Sequence, residues 1–262
     1  MEPTKLHGWR DRNDGRGACS DFPFRGFTPM RTSEVMVELR RLGDPAVVSG
    51  MKRFGLPTEN ALGISAPKLR SFAKRIGRDQ DLSLKLWHTG AMEARVLAAL
   101  IGDPQKVTKR QMERWVRDFD SWGVCDACCG VLFVYSPYAL EAAFRWACSE
   151  REFVKRAGFV MMAEIAIHLK TLGDREFLPM LKLIRRESVD ERNFVRKAVN
   201  WALRQIGKRN NRLNRLCIGE AKRIQASSSR SARRIASDAL RELQSAPVQR
   251  RFQKLEKKSR TR

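Results

Sequence analysis

The chain has 262 residues and a mass of 30.1 kDa, with 52 Lys and Arg against 29 Asp and Glu, a formal net charge of +23. At 42% hydrophobic and 31% charged it has the apolar content of a folding chain, which excludes an intrinsically disordered protein. Six cysteines are too few for a disulfide scaffold, and the longest apolar stretch, residues 157–169, is broken by Glu164 and short of the roughly 20 residues a bilayer span needs.

Residues 1–33 carry Glu2, Asp11, Asp14 and Asp21 among their arginines and no continuous apolar segment, which argues against a signal peptide. They read as a flexible extension rich in Gly, Pro and aromatic residues, with a net charge of only +2. From Thr32 to Leu243 apolar residues recur at intervals of three and four, as in Leu82 with Leu86 and Trp115 with Phe119. That pattern predicts helices almost throughout, and no strand is expected. Helix boundaries are expected at Gly43-Asp44-Pro45, Gly77, Gly90, Gly102-Asp103-Pro104, Ser136-Pro137, Gly173-Asp174 and Gly207, several with Asp or Ser as the N-cap of the next helix. Residues 245–262 lack apolar periodicity and are expected to be a basic, disordered tail. The resulting division is an N-terminal extension over 1–33, a helical domain over 34–244 and the tail over 245–262.

The charge is not confined to the tail. Residues 244–262 hold +6 and residues 1–33 hold +2, leaving +15 of the +23 on the body between them. A folded body with that imbalance repels itself unless a polyanion lies against it, so nucleic acid leads the partner classes.

Self-similarity sets the expected architecture. Five segments align around Arg95, Asp126, Arg156, Lys197 and Arg234, each a charged residue followed by small residues and then apolar ones. The charged positions stand 31, 30, 41 and 37 residues apart, the period of an α-helical repeat array in which each helix pair buries its face only against its neighbours. The fold class expected is therefore all-α, an α-solenoid of antiparallel helix pairs whose concave groove is basic. A duplex backbone suits that groove, and affinity would then fall steeply with salt.

Asp126 interrupts the series, being a carboxylate in a slot that is Arg or Lys in the other four segments. Two readings stay open: a structural ion pair with Arg156 of the next unit, or a catalytic carboxylate that stabilises a developing cation or orients a water. Trp122 lies one turn before Asp126, and Trp201 one turn after Lys197, so both indoles fall beside the charged stripe. Trp87, Trp115 and Trp146 are expected in the core. Cys125, Cys128 and Cys129 form a C-x-x-C-C cluster with no second Cys/His pair at zinc spacing, so packing is expected and a metal is not.

The segment from Asp118 through Trp122 to Asp126, followed by Phe153-Val-Lys-Arg156-Ala and Arg196-Lys-Ala-Val-Asn-Trp201-Ala-Leu-Arg204, resembles the HEAT-repeat alkylpurine DNA glycosylases of the AlkD type. The resemblance runs from about Val47 to Leu243 and includes Met51-Lys-Arg-Phe54 and Leu86-Trp87. It implies a monofunctional glycosylase acting on N3- or N7-alkylated purines in double-stranded DNA without a cofactor. Trp122 and Trp201 would flank the deoxyribose, Asp126 would stand near the anomeric carbon and Arg156 would hold the adjacent phosphate. Arg95, Lys197, Arg204, Arg234 and Phe54 are the further DNA-binding residues expected. Where the best-known members carry a tyrosine this chain has Phe54, so a hydroxyl contact to DNA is missing there. The competing expectation is a non-catalytic repeat protein that binds damaged or branched DNA. Either is expected to be a cytoplasmic monomer, nucleoid-associated in a bacterium, with no membrane contact.

Overall fold

The computed structural model describes residues 30–260. Among the described residues there are fourteen α-helices, three short 3-10 turns and no strand. They form two compact units, one ending at Val107 and one beginning at Thr108.

The first unit holds α1 (Thr32–Leu42), α2 (Pro45–Met51), a 3-10 turn (Lys52–Phe54), α3 (Ala66–Ile76), α4 (Gln80–Trp87) and α5 (Met92–Ile101). Side-chain caps explain two of these starts. Asp44 accepts from Ala46 N at 2.8 Å with Pro45 in the first turn, and Asp79 accepts from Leu82 N at 2.9 Å. The core is α5, whose Val96, Leu97, Ala98 and Ile101 are buried against α3 and α4. Its Glu93 is buried too, and the carboxylate accepts from the backbone N–H groups of Leu62, Gly63 and Ile64 at 2.8, 2.7 and 3.2 Å. Those three bonds pin the long link between the 3-10 turn and α3. Gly63 has φ +78° there, and a Cβ would lie 2.2 Å from Asp44 O, so only glycine fits.

The second unit continues with α6 (Lys109–Arg117), α7 (Trp122–Val131), a 3-10 turn (Phe133–Tyr135), α8 (Ala139–Ala147), α9 (Glu152–His168), a 3-10 turn (Asp174–Glu176), α10 (Phe177–Glu187), α11 (Asn193–Gly207), α12 (Asn211–Gln225), α13 (Arg230–Leu243) and α14 (Ala246–Arg260). Helices α7, α9, α11 and α13 pack side by side in that order, with α8 against α9, α10 against α11 and α12 against α13. The most buried element is α9, with Ala157 through Ala163 all buried. Gly158 lets α8 cross it closely, since a Cβ would stand 2.2 Å from Ala147 N. Trp115 and Trp146 are 1% and 2% exposed and lie on either side of Phe133, with ring centroids 6.0 and 5.9 Å away, and in the first unit Trp87 is 1% exposed, so all three meet the core expectation.

At Gly102-Asp103-Pro104 the expected boundary is the end of α5, which stops at Ile101 with Gly102 as its C-cap; Asp103 accepts from Gln105 N at 3.1 Å, and the next helix follows Thr108, which accepts from Gln111 N at 3.1 Å. One expectation is corrected. The segment from 245 onward, expected to be disordered, is helical as α14. Phe252 is 3% exposed, Gln249 Nε2 donates to Asn214 Oδ1 at 3.2 Å and Arg251 Nη2 donates to Lys208 O at 2.9 Å, so the helix is held by contacts to distant residues rather than by its own apolar pattern. The proposed 1–33 extension lies almost wholly outside the described residues, and α1 begins at Thr32.

Candidate functional site

The repeat register holds in the backbone. Asp126, Arg156, Lys197 and Arg234 each stand four residues after the first residue of α7, α9, α11 and α13, and Arg95 stands three after the first residue of α5. Equal position in successive helices gives equal height along each, so the four residues of the second unit line up across neighbouring helices. Trp122 opens α7, with Ser121 as its N-cap accepting from Val124 N at 3.5 Å.

Asp126 and Arg156 meet directly. Arg156 Nε donates to Asp126 Oδ1 at 3.0 Å and Nη2 donates to Oδ2 at 2.8 Å, a parallel two-bond pair, while Nη1 donates to Phe194 O of α11 at 2.8 Å. One guanidinium thus ties three successive helices. The Arg156 side chain is 7% exposed and that of Asp126 is 18% exposed. Burial works against the guanidinium charge, but the adjoining Asp126 carboxylate outweighs it and holds Arg156 above its ordinary value. The phosphate role expected for Arg156 meets this geometry: all three nitrogens already face protein oxygens.

The cysteine cluster stands behind this pair. Cys125, Cys128 and Cys129 are fully buried, with Cys125 Sγ 3.9 Å from Phe153 O and Cys129 Sγ 3.9 Å from Ala157 O, both on α9. Burial, followed by the neighbouring Cys125 thiol, pushes Cys129 well up and keeps it protonated. These thiols let α7 and α9 approach.

Farther along the row, Lys197 is exposed, with Nζ 5.9 Å from the Phe194 ring centroid. Burial and then the charges of Arg156, Arg196 and Arg234 hold its amine below the ordinary lysine value. Positive charge is crowded here, and an anion would relieve it. Arg234 is exposed on α13. Trp201 is half-buried and follows Lys197 by one turn; with its amide oxygen inward, Gln205 accepts from Trp201 Nε1 at 3.0 Å, one turn farther on. That bond fixes the plane of the indole. Arg204 turns away from this group to Glu242 of α13, where Lys208 joins it, both at 2.5 Å. In the first unit Arg95 is half-buried with its guanidinium 5.3 Å from the Trp87 ring centroid, and Phe54 is 47% exposed in the 3-10 turn.

Sequence reasoning missed Phe194 O, Gln205 and Glu242. The partners obey one offset, since Arg156 to Phe194 and Arg204 to Glu242 are each separated by 38 residues, as are Asn200 and Asp238. A search for complementary residues one repeat apart would have found Glu242. The carbonyl of Phe194 leaves no such signal.

An ionised carboxylate held rigidly, two partly exposed indoles and a run of exposed cations can together face a cationic sugar within an anionic backbone. Among solved structures the fold is similar to that of a protein described as one of a new family related to the HEAT-like repeat DNA glycosylases, with affinity for branched DNA structures. The TM-score is 0.68 at 20% identity, covering 82% of this chain and 96% of that one. A comparison with curated proteins finds no match. The family pattern described as DNA alkylation repair enzyme matches residues 35–243, which take in every site residue above. The chain belongs to the DNA alkylation repair enzyme family.

Proposed function

We propose that the chain hydrolyses the N-glycosidic bond of N3- and N7-alkylated purines in duplex DNA and leaves an abasic site. The observation that carries this reading is the Asp126 carboxylate, aimed by two bonds from buried Arg156, with Trp122 one turn before it on α7 and Trp201 one turn beyond Lys197, the residue in register with it on α11.

An alkylated purine carries a positive charge and is already a good leaving group. The C1′–N bond breaks with its electron pair going to the base, which departs neutral, and positive charge appears on the sugar. Asp126 stabilises that charge as an anion, and the faces of Trp122 and Trp201 add a cation–π contribution. A water then adds to C1′ and releases its proton. Neither step calls for a metal or an organic cofactor. Arg156 acts through Asp126 as a positioning residue. Lys197 and Arg234 enter this reading as backbone-phosphate contacts, and Arg95 and Phe54 as DNA contacts of the first unit. Arg204, paired with Glu242, serves the helix stack.

A second reading, a non-catalytic binder of damaged or branched DNA, is favoured by the same pair, because both oxygens of Asp126 accept from Arg156 as in a structural ion pair. Incubation of the full chain with methylated duplex DNA, followed by chromatography of freed bases, separates the two. Release of 7-methylguanine or 3-methyladenine is expected. No release, together with tight binding of four-way junctions, would leave the second reading.

A further inference from the structure

Positive charge in the second unit is not concentrated on the helices that hold the Asp126 row. Helices α7, α9, α11 and α13 carry nine Lys and Arg against five Asp and Glu, a net +4, whereas α6, α8, α10 and α12 carry twelve against four, a net +8. The second set forms a layer of its own. Lys109 pairs with Glu141 and Arg145 with Glu113 between α6 and α8, Arg186 Nη2 lies 3.2 Å from Cys148 Sγ at the end of α8, and Arg185 Nη1 is 3.3 Å from Glu220 Oε2 between α10 and α12.

Two contacts set the register of α10 against α12. Asn210 Nδ2 donates to Asp174 Oδ1 at 2.7 Å just before the two helices begin, and Arg185 meets Glu220 farther along, so the helices run in the same direction at an offset of 35 to 36 residues. Each buries one side, with Met180, Leu181 and Ile184 on α10 and Leu213, Cys217 and Ala221 on α12. The other side holds Lys182 and Arg185 on α10 and Arg212, Arg215, Lys222 and Arg223 on α12, all exposed. Glu220, whose side chain is 12% exposed, faces both Arg185 and Arg223, at 3.3 and 2.6 Å. Lys182, Arg212, Arg215 and Lys222 have no hydrogen-bond or ion-pair partner among the described residues.

At that offset Lys182 is level with residues 217–218 of α12, between Arg215 and Lys222, and Arg212 to Lys222 spans about 15 Å along the helix. A duplex carries one charge per about 1.7 Å of its axis, so several phosphates fit the patch. The apolar groups exposed on the two helices, Leu178 and Leu216 at 37% and 38%, are too little for a membrane-seated helix. Nor is there the charge-depleted centre of a protein interface.

This stripe lies on the far side of the unit from the Asp126 row. Lys197 and Trp201 leave α11 on the side opposite buried Val199 and Ile206; α9 and α13 flank α11, so α10 and α12 cover that buried side. Two helix layers, about 20 Å, separate the two cationic faces. A duplex stays straight over far fewer than its persistence length of about 150 bp, so one short duplex cannot reach both.

We propose that the exposed stripe of α10 and α12 is a second DNA-backbone site, separate from the Asp126 row, and that one chain holds two duplex segments at once. This rests on the DNA-binding part of the reading above and not on catalysis.

The test uses the full chain with two duplexes of about 20 bp, one immobilised and one fluorescent, at about 50 mM salt where backbone contacts are strong. Wild type is expected to hold the fluorescent duplex on the immobilised one and to saturate at two duplexes per chain, with sedimentation of the complex showing a single chain. Lys182→Gln combined with Arg212→Gln, Arg215→Gln and Lys222→Gln removes no internal bond, so its urea midpoint should match wild type. That variant is expected to bind one duplex within about threefold of wild type and to capture at least about tenfold less of the second. Saturation of wild type at one duplex per chain, capture of the second duplex only by associated chains, or undiminished capture by the variant overturns the proposal and leaves DNA binding intact. A wild type that binds no duplex overturns the DNA-binding reading and the proposal with it. Binding to phosphatidylserine vesicles that the variant loses, without capture of a second duplex, would assign the face to a membrane and overturn the proposal.

Discussion

Both oxygens of Asp126 face nitrogens of one guanidinium, and that geometry sets what each substitution does. Arg156→Ala leaves a mostly buried carboxylate without its counter-charge and should lower stability by about 3 kcal/mol in urea unfolding. Replacing both partners by apolar residues, Asp126→Leu with Arg156→Met, should recover most of that loss, because no unpaired charge then remains. Arg156→Lys keeps the charge and loses the two-bond fork. If Arg156 positions Asp126 for chemistry, this variant lowers kcat with KM unchanged, whereas a purely structural pair would move neither once the protein is folded. The sequence left Asp126 with two readings, an ion pair or a catalytic acid, and the geometry shows why residue types alone could not choose: the pair forms, and it is also what would hold a catalytic acid in place.

Arginines at element ends account for part of the positive charge in structural terms. Arg151 and Arg192 occupy the N-cap positions of α9 and α11 without capping them; their guanidinium groups donate back to Arg117 O at 2.7 Å and Glu150 O at 2.5 Å, in the preceding helix pair. Arg209 gathers Ala166 O, Leu169 O, Lys170 O and Leu172 O at the end of α9 and stacks 4.9 Å from the Phe177 ring centroid. It satisfies carbonyls that the helix cannot and places a cation at the negative end of the dipole. Arg209→Ala should therefore cost about 2 kcal/mol by denaturant unfolding, more than an exposed arginine elsewhere. Helix ends marked by Gly, or by Gly with a following Asp, were legible in the sequence because a cap is local chemistry, as Asp44 shows. Helix α14 was not, since Gln249 and Arg251 are held by Asn214 and Lys208, far away in the chain, and its charged window hides a single buried ring.

At the scale of the molecule, the repeat was legible because helices that stack in one way must repeat their small and charged residues at one spacing. The excess charge was legible as a sum and not in its use. Of the cations on the body, Arg151, Arg192 and Arg209 serve carbonyls and Arg204 and Lys208 serve Glu242, so the surplus open to a polyanion lies on residues such as Lys197, Arg234 and Lys170. The paired carboxylates predict the acid limit of stability. Burial raises Glu187, Asp190 and Glu242, but the lysines and arginines facing them outweigh it and hold all three below their ordinary values of 4.5, 3.8 and 4.5. A depressed carboxylate contributes stability that is complete above its unfolded value and is lost as pH falls through its folded one. Unfolding free energy should therefore be level from about pH 7 to about pH 5 and fall below about pH 4, with a smaller fall in Glu242→Gln, by urea titration across pH.

Asp126→Asn tests most directly whether the aimed carboxylate favours loss of a damaged base, with base release and DNA affinity measured on the same preparation. At least about a hundredfold loss of 7-methylguanine and 3-methyladenine release is expected, with duplex affinity equal to wild type or tighter because a negative charge has left a positive surface. Release at the wild-type rate from Asp126→Asn would contradict it.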